Sequence, residues 1–122
     1  MTGRAGRRRA AYGRGRGAER WAALWLRLKG YRILARGFRV AQGEIDLIAR
    51  RGRLVIFVEV KRRDAPAAAA EAIGGRQRRR IERAAEAFLQ RHPGLAGCRL
   101  RFDAVLLSRR RLPRHLADAW RP

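Results

Sequence analysis

The chain has 122 residues, of which 31 are Lys or Arg and 10 are Asp or Glu, so its formal net charge is +21 and its pI is about 12.0. This length corresponds to one domain. One cysteine excludes an internal disulfide, and no apolar run reaches the roughly 18 residues that a membrane span needs. So large a positive charge favours a polyanionic partner, because neutralising phosphates releases counterions. The length, charge and composition together predict a soluble intracellular protein that binds nucleic acid.

The first 16 residues differ in composition from the rest of the chain. They hold six Arg, several Gly and Ala, and no acidic residue. Too few large apolar groups are present to offset the entropy lost on ordering. We therefore predict a basic, disordered arm over residues 1–16 and a single domain over residues 17–122 that ends in a basic tail.

A helix is predicted over residues 17–29. Large apolar residues recur on it at helical spacing, which predicts that they face the core: Trp21, Leu24, Trp25 and Leu28. Glu19, in the first turn, borders this predicted buried side and is a candidate to reach an acidic site on the sheet. The alternative is that Glu19 only complements the positive end of the helix dipole.

Strands follow the helix. Residues 31–35 predict one strand, which continues or bends at residues 38–40. Two apolar runs, Gly43–Ala49 and Leu54–Lys61, then flank the polar residues Arg50–Arg53, which is the pattern of a β-hairpin.

Acidic side chains share one face of this hairpin, because side chains alternate along a strand. Glu44 and Asp46 lie on one face of the first strand, and Glu59 and Lys61 lie on one face of the second. With Arg50–Arg53 as the turn, Glu44 is predicted opposite Glu59, with Asp46 diagonal to it. Carboxylates that face each other repel. A cation is therefore expected between them, either a divalent metal ion or an inward-pointing Arg or Lys.

The residue types favour a divalent metal. Mg²⁺ binds one or two carboxylates together with water and substrate phosphate, so Asp46 and Glu59 are the predicted ligands of Mg²⁺ or Mn²⁺, with the Val60 carbonyl as a third. Lys61 would orient or deprotonate a water molecule or stabilise charge on a phosphate, and Glu44 would support the site. The alternative is a sheet whose acids are neutralised by neighbouring arginines.

A second helix is predicted from Arg76 to about Arg91, after a surface connection. Its apolar stripe includes Ile81 and Phe88. Gln77 lies on the sheet-facing side and is predicted to point at the acidic cluster or at a bound strand. Four arginines on another side form a patch suited to a phosphate backbone: Arg76, Arg79, Arg80 and Arg83. A merely solvated face is the alternative.

The remainder of the chain predicts one more strand and a tail. Residues 98–107 form the strand, in which Asp103 is predicted to be structural rather than catalytic. Residues 109–122 predict a basic tail with a short helix, and His115 is predicted to be exposed and without a partner.

Two motifs, Gly43-Glu44-Ile45-Asp46-Leu47-Ile48-Ala49 and Val58-Glu59-Val60-Lys61-Arg62, together with the Arg/Gln helix and Arg101-Phe102-Asp103, resemble those of the YraN family of bacterial proteins. The resemblance covers about residues 17–107. It implies an α/β fold with a restriction-endonuclease-like core, in which a mixed central sheet is flanked by helices, similar to archaeal Holliday-junction resolvases. It also implies roles for four residues: Asp46 and Glu59 as metal ligands, Lys61 as catalytic lysine and Glu19 as helix-borne acid.

Three functions follow as hypotheses. The first is a Mg²⁺-dependent endonuclease that hydrolyses phosphodiester bonds of DNA, with branched or damaged DNA as candidate substrates. The second is a catalytically inactive nucleic-acid-binding module on the same fold, and the third is an adaptor that binds an acidic protein. DNA is favoured over RNA, the bacterial cytoplasm is the expected location, and a homodimer stays open.

Overall fold

A computed structural model describes residues 17–62, 73–109 and 111–122, and it shows a five-stranded mixed sheet with a helix on each face. The elements in chain order are α1 (residues 17–28), β1 (Arg32–Val40), β2 (Gly43–Arg51), β3 (Leu54–Arg62), α2 (Gly75–Arg91), a 3₁₀ turn (Pro93–Leu95), β4 (Arg99–Leu107) and β5 (Arg114–Trp120). The predicted basic arm lies outside the described residues.

The strands follow their chain order across the sheet. β1, β2 and β3 form an antiparallel meander, β4 lies parallel to β3, and β5 returns antiparallel to β4. A parallel neighbour needs a long crossover, and α2 lies within it. The α/β class and the mixed sheet flanked by helices are thereby confirmed.

The face of the sheet under α2 holds the larger of the two cores. Ile48 and Phe57 pack there against Ile81 and Phe88 from α2. The rings of Phe57 and Phe88 meet edge to face, with centroids 6.5 Å apart, an arrangement that aromatic pairs favour. The predicted apolar stripe of α2 is therefore the face that it buries.

On the other face of the sheet, α1 packs with small side chains. Its buried residues are Ala22, Ala23 and Leu26. The prediction that its large apolar stripe faces the core is wrong for three of the four residues, since Trp21, Leu24 and Leu28 are 65%, 45% and 74% exposed, whereas Trp25 is half-buried. Alanine on the buried side lets a helix approach a sheet closely, and the larger residues then lie on the outside.

The turn between β2 and β3 is tighter than predicted. Arg51 pairs with Leu54, so the loop is the two residues Gly52 and Arg53. Gly52 adopts a φ of +62°, a left-handed conformation that glycine takes without a steric penalty. The register therefore differs from the predicted one by two residues, and an even shift leaves every side chain on its predicted face.

The C-terminal segment is strand β5, not the predicted helix. Asp103 on β4 is fully buried, and it accepts hydrogen bonds from the Asp118 backbone N–H (2.9 Å) and the His115 side chain (2.6 Å) of β5. A buried carboxylate needs such donors, which explains why this segment pairs with β4. The prediction that His115 is exposed is wrong, since its side chain is 3% exposed.

No helix among the residues of ranges 17–62, 73–109 and 111–122 is both long and apolar enough to cross a membrane.

Candidate active site

Asp46 and Glu59 meet where the β2–β3 ladder ends. The last paired residues are Leu47 and Val58, and Asp46 and Glu59 follow one position further on each strand. The backbone N–H of Val60 donates a 2.8 Å hydrogen bond to Asp46 Oδ2, and the two carboxyl groups hydrogen-bond each other. The two acids therefore lie on the same side of the sheet, close enough to share one ion.

Glu59 is buried, with 7% of its surface exposed, and Asp46 is half-buried. Burial, and then the charge of Asp46, raise the pKa of Glu59 from its ordinary 4.5 to about 8. Burial also raises the pKa of Asp46, against the opposing effect of the Val60 N–H. Without a cation, Glu59 thus keeps its proton at neutral pH and shares it with Asp46.

This shared proton predicts a pH dependence of folding stability. Because the pKa of Glu59 is higher in the folded protein than in the unfolded chain, the folded state binds the extra proton between pH 4.5 and about 8. Glu59 therefore stabilises the fold fully below pH 4.5, and that contribution is lost as the pH rises toward about 8. Relative to the wild type, we expect Glu59→Gln to gain stability across this range in metal-free buffer.

Urea unfolding of the wild type, Glu59→Gln and Glu86→Gln over this pH range measures the difference. Glu86 is an exposed carboxylate on α2, and its variant controls for loss of a negative charge. A constant difference in unfolding free energy between the wild type and Glu59→Gln would contradict a raised pKa.

Two side chains complete the surroundings of Glu59. Lys61 lies on the same face of β3, with its Nζ 3.4 Å from Glu59 Oε1 and its side chain 18% exposed. Gln77 of α2 donates a 2.6 Å hydrogen bond from Nε2 to the same oxygen. Glu59 is therefore held from two directions, by the next residue on its own face and by the helix above.

Gly43 sets the distance between α2 and the site. A Cβ added to Gly43 would lie 2.0 Å from the backbone oxygen of Arg80, which no residue other than glycine could accommodate without moving the helix. Since α2 carries Gln77 to Glu59, Gly43 belongs to the architecture of the site. The sequence shows a glycine at the start of a strand, but its contact with Arg80 arises only in the tertiary structure.

The predicted arginine patch lies on the outer surface of α2. All four of its members are exposed: Arg76, Arg79, Arg80 and Arg83. Arg76 directly precedes Gln77, so the patch begins beside the carboxyl pair. Their role in holding a phosphate backbone stays a prediction.

Glu44 is not a member of the carboxyl pair, although, after burial, its charge also contributes to the raised pKa of Asp46. The prediction that Glu44 faces Glu59 is wrong: it pairs across the ladder with Arg39 of β1 and makes a 3.0 Å ion pair with it, because the two-residue shift moves it beyond the end of the β2–β3 ladder. Glu19 is half-buried in α1, the helix that covers the face opposite α2. Its role as a helix-borne acid stays a prediction.

The donor set at the site suits a hard cation. Two adjacent carboxylates, with water and substrate oxygens, meet what Mg²⁺ requires. No cluster of three or more His, Cys, Asp or Glu side chains occurs in the part of the chain that the structure describes. The Val60 carbonyl as a third ligand stays a prediction.

A mixed sheet with a helical crossover, an Asp on one hairpin strand and Glu-x-Lys on the next define the restriction-endonuclease-like class of α/β proteins. Residues 18–107 match the model of the Uncharacterised protein family UPF0102. The chain belongs to this family, which is the YraN family.

Curated relatives cover nearly the whole chain. A UPF0102 protein of Paramagnetospirillum magneticum is 59% identical over 116 residues, which span 92% of this chain and 90% of the relative. A UPF0102 protein of Methylorubrum extorquens is 60% identical over 114 residues, spanning 93% and 89%, and one of Agrobacterium fabrum is 48% identical over 120 residues, spanning 98% of each. These names confirm the family and carry no statement of activity.

Proposed function

We propose that this protein is a Mg²⁺- or Mn²⁺-dependent endonuclease that hydrolyses phosphodiester bonds of DNA. The observation that supports this proposal most is the convergence of the buried Glu59 with the half-buried Asp46 and Lys61 at one point of the sheet. In a chain with a net charge of +21, a largely buried acidic pair beside a lysine and an exposed arginine patch is a combination that suits phosphoryl chemistry.

The chain's own groups have separate roles in this proposal. Asp46 and Glu59 would hold the cation, and Gln77 and the Val60 N–H orient their carboxyl groups through the hydrogen bonds described above. The bound cation would supply Lewis acidity at the phosphate and lower the pKa of water. Lys61 would stabilise charge on the phosphate or take the proton of the attacking water, and the arginine patch would hold the DNA backbone.

Cleavage assays test the proposal directly. Supercoiled plasmid and a four-way junction are incubated at pH 8.5, where Glu59 with its pKa of about 8 is mostly ionised, in Mg²⁺, Mn²⁺ or EDTA. We expect cleavage in either metal, none in EDTA, and the same rates for the wild type and Glu86→Gln. Cleavage that persists in EDTA would contradict the proposed metal-dependent endonuclease. So would the absence of cleavage of both substrates in Mg²⁺ and in Mn²⁺.

A catalytically inactive nucleic-acid-binding module is the second candidate. The observation that favours it is that, among the described residues, the site supplies two carboxylates, Asp46 and Glu59, and that Glu59 holds a proton near neutral pH. This function predicts tight, salt-sensitive DNA binding that is equal in Mg²⁺ and EDTA. Neutralising the four arginines of the patch together would abolish that binding, whereas the endonuclease requires Mg²⁺-dependent cleavage as well.

A further inference from the structure

A cleft of about 460 Å³ opens on the face of the sheet opposite the carboxyl pair. Its lining combines one indole, three guanidinium groups and apolar side chains: Trp21, Arg62, Arg109, Arg111, Leu112 and Pro113. The volume lies within the range of small-molecule sites. A cleft with this lining suits a ligand that has both a flat aromatic ring and a negative charge.

The cleft and the carboxyl pair lie near the C-terminal ends of the same two strands. β3 and β4 are parallel, with Lys61 beside Leu106 and Arg62 beside Leu107, so both strands end side by side. Arg62 follows Lys61 directly, with Cα atoms about 3.8 Å apart, and successive side chains point to opposite faces. A DNA strand that passes the ends of β3 and β4 would therefore meet the carboxyl pair on one face of the sheet and the cleft on the other.

Trp21 is the group in this cleft that a base would contact. It is 65% exposed, although burying an indole is strongly favourable, and it lies on the outer side of α1. Stacking on an aromatic side chain is available to every base, provided that the base is not already stacked within a duplex. Arg109 and Arg111 are both exposed and can neutralise the phosphates on either side of such a base.

We infer that this cleft is a subsite for an unpaired nucleotide, in which a base stacks on Trp21 and its phosphates contact Arg62, Arg109 and Arg111. The inference rests on the proposed DNA-binding function and deepens it, because it names the substrate class. The site takes DNA with an unpaired segment beside the cleaved bond, such as a single strand, a flap or the strands at a branch point.

Binding measurements without catalysis test the subsite. Fluorescence anisotropy in EDTA at fixed salt compares one fluorescein-labelled oligonucleotide as a single strand and as a fully paired duplex. We expect Trp21→Ala to weaken binding of the single strand by about 5- to 100-fold and to change duplex binding less than about twofold. Trp21→Phe keeps an aromatic face and is expected to retain most of the affinity.

Leu28→Ala is the matched control, since Leu28 is 74% exposed on the same helix and does not line the cleft. It should bind both DNAs as the wild type does. Circular dichroism verifies that each variant is folded. Unchanged binding of the single strand by Trp21→Ala, or equal losses for single strand and duplex, would overturn the subsite.

The test of the subsite can be distinguished from the test of the endonuclease activity. If the wild type cleaves no DNA but Trp21→Ala selectively weakens binding of the single strand, the subsite is supported and the proposed catalysis is contradicted. If the wild type cleaves DNA in Mg²⁺ while Trp21→Ala binds both DNAs as the wild type does, the proposed catalysis is supported and the subsite is contradicted.

Discussion

Replacing Asp46 with Asn is expected to lower the rate of DNA cleavage by about 10²- to 10³-fold, the loss typical when one stabilising group is removed from a catalytic site. The Asn side chain has nearly the same shape and can still accept the hydrogen bond that Val60 donates to Asp46. The fold should therefore persist while the charge that would hold the cation is lost. Cleavage rates at pH 8.5 in Mg²⁺, with Glu86→Gln as the control, measure the effect.

Substitutions of Lys61 separate its two candidate roles. Lys61→Ala is expected to lower the rate of DNA cleavage by a similar factor, because it removes the only cation within 4.0 Å of Glu59 among the described residues. Lys61→Arg keeps the positive charge but cannot give up a proton near neutral pH. Partial activity in Lys61→Arg would indicate charge stabilisation, and none would indicate proton transfer. Full activity in Asp46→Asn or Lys61→Ala would contradict a catalytic role for that residue.

Replacing Asp103 with Ala is expected to destabilise the fold by about 3–5 kcal/mol, the cost of breaking a buried ion pair by removing one partner. Arg101 binds both oxygens of the Asp103 carboxylate at 2.8 Å, and His115 binds one of them at 2.6 Å. Burial alone would raise the pKa of Asp103, but these hydrogen bonds hold it below its ordinary value. Without the carboxylate, the donors of β4 and β5 would be left buried without acceptors.

The midpoint of urea unfolding measures this loss. Asp118→Asn is the matched control, because Asp118 forms an ion pair with the largely exposed Arg121, and such pairs contribute less than about 1 kcal/mol. Asn also tolerates the φ of +55° at this position. An Asp103→Ala midpoint within the error of the wild type would show that β5 is held by other contacts.

The alternation of residues in the hairpin determined most of the candidate site. Asp46, Glu59 and Lys61 share a face because side chains alternate along a strand, and this holds for any register that differs by an even number of residues. The predicted turn was two residues too long, yet the acids still meet. The error fell on Glu44, whose position depends on the register itself.

The buried side of α1 and the structure of the C-terminal segment were decided by contacts between distant segments. Local periodicity does not encode such contacts. The apolar spacing on α1 predicted the buried stripe incorrectly, because both sides of the helix are apolar and only the sheet selects the alanine side. The C-terminal segment became β5 because the buried Asp103 needs donors from another strand. Sequence alone thus determined which residues could perform chemistry together, whereas the tertiary structure decided which surfaces are buried, because burial depends on the shape of the packing partner.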